Sequence, residues 1–195
     1  MIALIDYGAG NVASVSNALT QLKYDFVITQ NESEIIRANK IIFPGVGEAS
    51  FAIRKLHLLN LFSVLRMCIK PMLGICLGLQ LMAEKSEEGN VACLGVFPGT
   101  AKKFDDTKVK VPHMGWNEVE FVKESKLFTD IESGTRFYFA NSYYVPVNEF
   151  TTAKSEHDVQ FSAAIEKGNF YGVQFHPEKS SDAGLQLLKN FIELC

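Results

Sequence analysis

Through the first half of the chain, short apolar runs alternate with stretches of helical spacing. Ile2 to Ile5 is an apolar run closed by Asp6-Tyr7-Gly8-Ala9-Gly10, after which Val12, Val15, Leu19 and Leu22 fall on one helical face. This predicts strand, tight turn, helix. Phe26 to Thr29 and Lys40 to Phe43 read as further buried strands, and Ala49 to Met67 has the periodicity of one or two helices. Met72 to Ile75 is another strand and Leu77 to Lys85 a helix, so the first half is a series of βαβ units, which requires a parallel sheet. The second half changes period. Phe97 to Phe104, Glu118 to Val122, Arg136 to Val145, Thr151 to Ser155, Phe161 to Glu166 and Tyr171 to Phe175 read as strands with turns between them, before an amphipathic helix from Asp182 to Leu194. The expected class is α/β: a central, mostly parallel sheet with helices on both faces and an antiparallel or mixed extension.

At 195 residues and 47% hydrophobic content, the chain can build one well-buried core, and a single domain over 1–195 is expected. With 19 Lys+Arg against 22 Asp+Glu and no basic stripe, nucleic acid is not an expected partner. The first residues, Met1-Ile-Ala-Leu-Ile-Asp6, have neither a basic n-region nor the length of a membrane span, so a cytosolic protein is expected. Cys68, Cys76, Cys93 and Cys195 lie far apart without a C-x-x-C pair, which argues against a zinc knuckle or a disulfide framework. A cysteine that matters here would matter as a thiol.

One cysteine has the right surroundings. Gly74-Ile75-Cys76-Leu77-Gly78 lies between a predicted strand end and a predicted helix start, the arrangement of a nucleophile elbow with sulfur in place of oxygen. A strained strand-to-helix turn exposes such a side chain, the flanking glycines permit close backbone packing, and the Leu77 amide points where an oxyanion would form. The competing reading makes Cys76 a small core residue. His176-Pro177-Glu178 follows the last predicted strand and offers a base with a carboxylate to orient it. Pro44-Gly45-Val46-Gly47, at another strand end, is a loop whose N–H groups can face an anion, with Val46 and Gly47 as the second part of an oxyanion site. Two other functions compete. Gly8-Ala9-Gly10-Asn11-Val12-Ala13 satisfies a dinucleotide-binding pattern, but no acidic residue stands directly at the tip of the second strand. A cysteine peptidase or deglycase would also use an elbow cysteine.

These motifs, in this order, resemble the class I (triad) glutamine amidotransferases over essentially the whole chain. Asp6 to Asn11, Pro44 to Gly47, Pro112-His113-Met114-Gly115-Trp116-Asn117 and Gln174 to Ser181 look specifically like the branch formed by the glutaminase subunits of imidazole glycerol phosphate synthases. The resemblance implies a flavodoxin-like fold, L-glutamine as substrate, a thioester on Cys76, a Cys76-His176-Glu178 triad, and no metal or cofactor. It places Gln80, Glu88 and the backbone of Ser142 and Tyr143 against the substrate's amino-acid end, and Asn11, Trp116, Tyr138 and Lys179 towards a partner. Glu88 could pair with the substrate's ammonium, though it could equally be one of a solvated Glu87-Glu88 pair. The implied partner is a separate (β/α)8-barrel cyclase in a heterodimer, which joins the ammonia to a phosphoribulosyl intermediate of histidine biosynthesis. A glutaminase of the same class serving a different synthase is the alternative. The resemblance also implies a Gly45-Val46 peptide held in an unproductive orientation until the partner engages. One departure is visible: Asn141 stands where close relatives usually show histidine, so a hydrogen-bonding group remains but one that cannot titrate.

Overall fold

The computed structural model describes residues 1–195. The first half runs β1 (Ile2–Ile5), α1 (Val12–Gln21), β2 (Phe26–Thr29), α2 (Glu32–Arg37), β3 (Lys40–Gly45), α3 (Ala49–Leu58), α4 (Leu61–Arg66), β4 (Met72–Cys76) and α5 (Leu77–Met82). Then come β5 (Lys85–Ser86), β6 (Val91–Ala92), β7 (Thr100–Lys103), β8 (His113–Glu118), β9 (Glu120–Phe121), β10 (Arg136–Asn141), β11 (Tyr143–Tyr144), β12 (Thr151–Glu156), β13 (Gln160–Lys167), β14 (Phe170–Val173) and α6 (Ser181–Leu194). The main sheet has eight strands in the order β2-β1-β3-β4-β14-β13-β12-β9. Strands β2 to β14 in that order are mutually parallel, and β14, β13, β12 and β9 continue antiparallel. Apolar residues pack on both faces: Ile5, Phe43, Leu56 and Leu81 belong to one cluster, and Leu4, Leu19, Ile42, Phe175 and Phe191 to the other. None of the helices is long and apolar enough to cross a membrane.

Local signals account for the differences from the sequence expectations. Helix α2 was not foreseen because its apolar pair, Ile35 and Ile36, has no period, but Asn31 caps it, its side chain accepting from the N–H groups of Ser33 at 2.9 Å and Glu34 at 3.4 Å. Strand β2 is an edge strand with Ile28 exposed, not a buried one. The helix after Cys76 ends at Met82 and does not reach Lys85. There the N–H groups of Leu94 and Val96 take the carbonyls of Leu81 and Met82, both at 2.8 Å, so an incoming segment stops the helix. The strand expected from Phe97 to Phe104 shortens to Thr100–Lys103, with Phe97 and Phe104 buried on either side. The segment before Glu118 is itself strand: β8 begins at His113 and pairs with β10.

The β4–α5 junction leaves no room for a Cβ. A Cβ on Gly78 would lie 1.9 Å from the Phe43 carbonyl oxygen, and one on Gly74 would lie 2.6 Å from the Met82 sulfur and 2.8 Å from the Gly78 carbonyl carbon. Both glycines are therefore demanded by backbone approach. Gly78→Ala is expected to destabilise the chain by about 1–3 kcal/mol or more, since only backbone stands in the way. Chemical denaturation of the two proteins measures this, and an unchanged midpoint would show that α5 can move off β3 at little cost.

Candidate functional site

Strand β4 ends in Cys76 with φ 54° and ψ −109°, a left-handed backbone that few residues other than glycine adopt. The side chain is thereby set at the carboxyl edge of the parallel strands, between β3 and β14. Cys76 is in register with Gly45 on β3, so the Gly45-Val46 peptide lies beside the sulfur. The Leu77 amide is the first of α5, and first-turn N–H groups have no intrahelical partner. Around the sulfur stand the Ala140 carbonyl, 3.9 Å away, and the side-chain amide of Gln174, which donates to Sγ at 3.7 Å.

His176 follows β14, and its backbone N–H donates to the Tyr138 carbonyl at 2.8 Å. Its Nδ1 lies 2.8 Å from Glu178 Oε1, with both side chains almost wholly covered. Burial by itself would hold this imidazole uncharged. Negative charge on Cys76, the hydrogen bond to it, and then the hydrogen bond and charge of Glu178 outweigh burial, and the ring is pushed up to about 10. Glu178 Oε1 also accepts from Asn11 Nδ2 at 3.2 Å. The side chain of Asn11 stands at the N-cap of α1 but makes no capping bond, because its amide is turned onto this carboxylate.

A cavity of about 140 Å³ opens beside the sulfur, and its walls include Val46, Gly47, Cys76, Leu77, Gln80, Glu88, Ser142 and Tyr143. Residues far apart in the chain thus meet in one hollow. Gln80 is buried, and its amide N–H groups are committed to the Tyr143 carbonyl at 2.8 Å and to Gln174 Oε1 at 3.0 Å. Asn141 Nδ2 donates to the same Tyr143 carbonyl at 2.9 Å, so Asn141 and Gln80 together fix the strap carrying Ser142 and Tyr143. Glu88 is not one of a solvated pair: Glu87 faces outward onto the Lys103 N–H, whereas Glu88 lines the cavity and accepts from the Ala49 N–H at 2.8 Å. Burial raises its carboxyl above the usual range, the Ala49 bond opposes this, and Glu48 adds to it. A larger apolar hollow of about 400 Å³ lies between α2 and α4, lined by Ile35, Ile36, Val64 and Met67, away from any of these groups.

The Val46 N–H donates to the Ala9 carbonyl at 2.8 Å, so in this structure it does not face the cavity. Trp116, Tyr138 and Lys179 form one patch: Trp116 is 50% exposed and packs edge-on against Tyr138, whose ring lies 5.8 Å from the Lys179 ammonium. Asn11 alone of that group points inward, to Glu178. Gln174, which links Cys76 and Gln80, was missed as a site residue, although a glutamine between Val173 and Phe175 at the end of an apolar strand is a visible anomaly. The β1–α1 loop is likewise turned to other work than a pyrophosphate, its Ala9 carbonyl and Asn11 amide being spent on the site.

An elbow cysteine at the carboxyl edge of the parallel strands, a histidine held by a carboxylate and a small polar cavity are the parts that thiol-based hydrolysis needs. The family model described as glutamine amidotransferase class-I matches residues 3–194. Among solved structures, one described as a glutamine amidotransferase covers 100% of this chain and 98% of its own at TM-score 0.77 and 15% identity. The glutaminase domain of Trypanosoma brucei CTPS covers 98% and 93% at TM-score 0.66 and 18% identity, and at these identities both report the fold. Curated relatives are much nearer: the imidazole glycerol phosphate synthase subunit HisH of Bacteroides fragilis is 48% identical over 99% of both chains. The HisH subunit of Haemophilus influenzae is 48% identical over 98% of this chain and 96% of its own, and that of Buchnera aphidicola 43% identical over 99% of both. The chain belongs to the class-I glutamine amidotransferase family, within its branch of imidazole glycerol phosphate synthase HisH subunits.

Because Glu178 contributes to holding the His176 ring charged, Glu178→Gln is expected to move the His176 titration down from about 10. The sign follows from linkage: a raised histidine contributes stability that is present below its ordinary value of about 6.5 and lost as pH rises through its folded value. Titration of the labelled imidazole by NMR, with melting temperatures across the alkaline range, measures both effects. An unmoved His176 in the variant would mean the carboxylate does not support the charge.

Proposed function

We propose that this chain is the glutamine-hydrolysing subunit of an imidazole glycerol phosphate synthase, with Cys76, His176 and Glu178 as its triad. The observation that carries the reading is that Cys76 opens onto one cavity with Gln80, Glu88 and the Ser142-Tyr143 strap, while the buried His176–Glu178 pair interacts with its sulfur. Sulfur attacks the carboxamide carbon of L-glutamine, and the carbonyl π-electrons move to oxygen. His176 delivers a proton to the leaving nitrogen, ammonia departs and a thioester remains. Water, deprotonated by His176, then cleaves the thioester to glutamate and restores the sulfur. Glu178 keeps the ring oriented throughout. Every proton and bond in this sequence is supplied by the triad, the substrate and water, and no cofactor or metal takes part.

Substrate selectivity follows from the walls. Glu88 offers a carboxylate to the ammonium of free glutamine, and Gln80 with Asn141 sets the strap against which the amino-acid end lies. The oxyanion receives the Leu77 N–H and, once the Gly45-Val46 peptide turns, the Val46 N–H, with Gly47 as the flexible end of the loop. The resting bond from Val46 to Ala9 supports a latent glutaminase.

Relatives named as one subunit of a synthase support a chain that works in a complex. The partner we infer is a separate cyclase of (β/α)8-barrel form in a heterodimer, docked on the Trp116, Tyr138 and Lys179 patch. It receives ammonia before water can protonate it and forms imidazole glycerol phosphate and AICAR in histidine biosynthesis. Four unpaired cysteines suit the reducing conditions of the cytosol, where we place the pair.

Cys76→Ala is expected to abolish glutaminase turnover while preserving the fold and cyclase binding, and a glutamine-like electrophile is expected to label Cys76 alone. Turnover near that of the unaltered protein would overturn the triad. The isolated chain is expected to be nearly silent, with the cyclase and imidazole glycerol phosphate raising kcat about a hundred- to a thousandfold, the worth of one oxyanion donor at roughly 3 to 4 kcal/mol. Full activity from the chain alone would show the loop already productive. Trp116→Ala is expected to weaken cyclase binding by about 2 kcal/mol with little change in melting temperature, as its exposure implies. An equal loss of fold stability would make it a packing residue.

A further inference from the structure

The mechanism leaves one buried polar group at the site without a role. Tyr7, in the loop after β1, is 1% exposed, and its hydroxyl has no hydrogen-bond partner. Burial first, and then negative charge on Cys76, raises this phenol far above the usual tyrosine range, so it stays a neutral donor. Its ring packs at 5.4 Å from that of Phe43, and its oxygen lies 2.6 Å from where a Cβ on Gly45 would stand. Tyr7 thus holds an uncommitted O–H against the residue whose carbonyl belongs to the Gly45-Val46 peptide.

The geometry of that peptide gives the hydroxyl something to do. In the resting orientation the Val46 N–H donates to Ala9, and in a planar trans peptide the Gly45 carbonyl then points to the opposite side. Half a turn carries the N–H to the oxyanion and swings the Gly45 carbonyl towards the Ala9 carbonyl, so that two acceptors share one side. Without a donor there the turn is opposed. We propose that Tyr7 is a positioning residue whose hydroxyl donates to the turned Gly45 carbonyl and so favours the orientation that presents Val46 to the oxyanion. The proposal rests on the latent-peptide reading above. At rest the same hydroxyl is buried and unbonded, a cost that the turn relieves. One residue therefore biases the switch from both ends.

Tyr7→Phe removes only the oxygen and keeps the ring on Phe43. The complex with the cyclase, with and without imidazole glycerol phosphate, is assayed beside the isolated chain. The stimulated-to-unstimulated ratio of kcat is expected to fall about two- to tenfold, the worth of one neutral hydrogen bond, with KM for glutamine little changed. The melting temperature of the isolated variant is expected to equal or exceed that of the unaltered chain, because no resting bond is lost. If the unaltered chain is as active alone as in the complex, the latent reading itself fails. If it is stimulated and Tyr7→Phe is stimulated to the same degree, the Tyr7 proposal alone is overturned. An equal loss with and without the cyclase, or a lowered melting temperature, also overturns it, since either would mean the hydroxyl is already bonded at rest.

Discussion

The backbone at Cys76 is the constraint from which the rest of the site follows. A non-glycine residue held at φ 54° and ψ −109° stores about 1–3 kcal/mol and persists only where its surroundings leave no alternative. Here those surroundings are the close approach of α5 to β3, with Gly78 against the Phe43 carbonyl, and the seating of Met82 over Gly74. A larger side chain at either glycine would push the helix away and let the elbow relax. The sulfur is exposed to the cavity because the glycines are not.

Around this fixed point, polar groups hold one another in chains. Asn11 donates to Glu178, which holds His176, and the backbone of His176 is tied to Tyr138. Gln174 joins Cys76 to Gln80, and Gln80 joins the Tyr143 carbonyl with help from Asn141. Of the five buried side-chain atoms that lack a partner, those on Asn141 and Glu178 belong to residues of this network, and that on Tyr7 stands against Gly45.

The same loop reaches both halves of the apparatus. Between β1 and α1, Ala9 holds the Val46 amide and Asn11 holds the carboxylate behind the base. On the neighbouring face Tyr138 carries its ring outward between Trp116 and Lys179 while its backbone accepts from His176 and its N–H donates to Ser180 Oγ at 2.9 Å. A protein pressed against that face bears directly on the strand that positions the histidine.

Much of this was legible in the residues alone. The apolar runs and helical spacings of the first half located β1, β3, β4, α1 and α3 because those elements are set by local period, and Gly-x-Cys-x-Gly with His-x-Glu pointed to a strained elbow and a histidine–carboxylate pair, both of which the fold forms, because each needs those residues at short, fixed spacing. Helix α2 and strand β8 were hidden because a side-chain cap and a strand partner distant in sequence make them, not a period. Only the tertiary structure decided that Gln80 and Asn141 spend their amides on the Tyr143 carbonyl, that Asn11 turns inward to Glu178, and that the Val46 N–H is occupied by Ala9. Each is a choice among several partners that a polar group could satisfy equally well, and such choices are made by what the fold brings within hydrogen-bond reach.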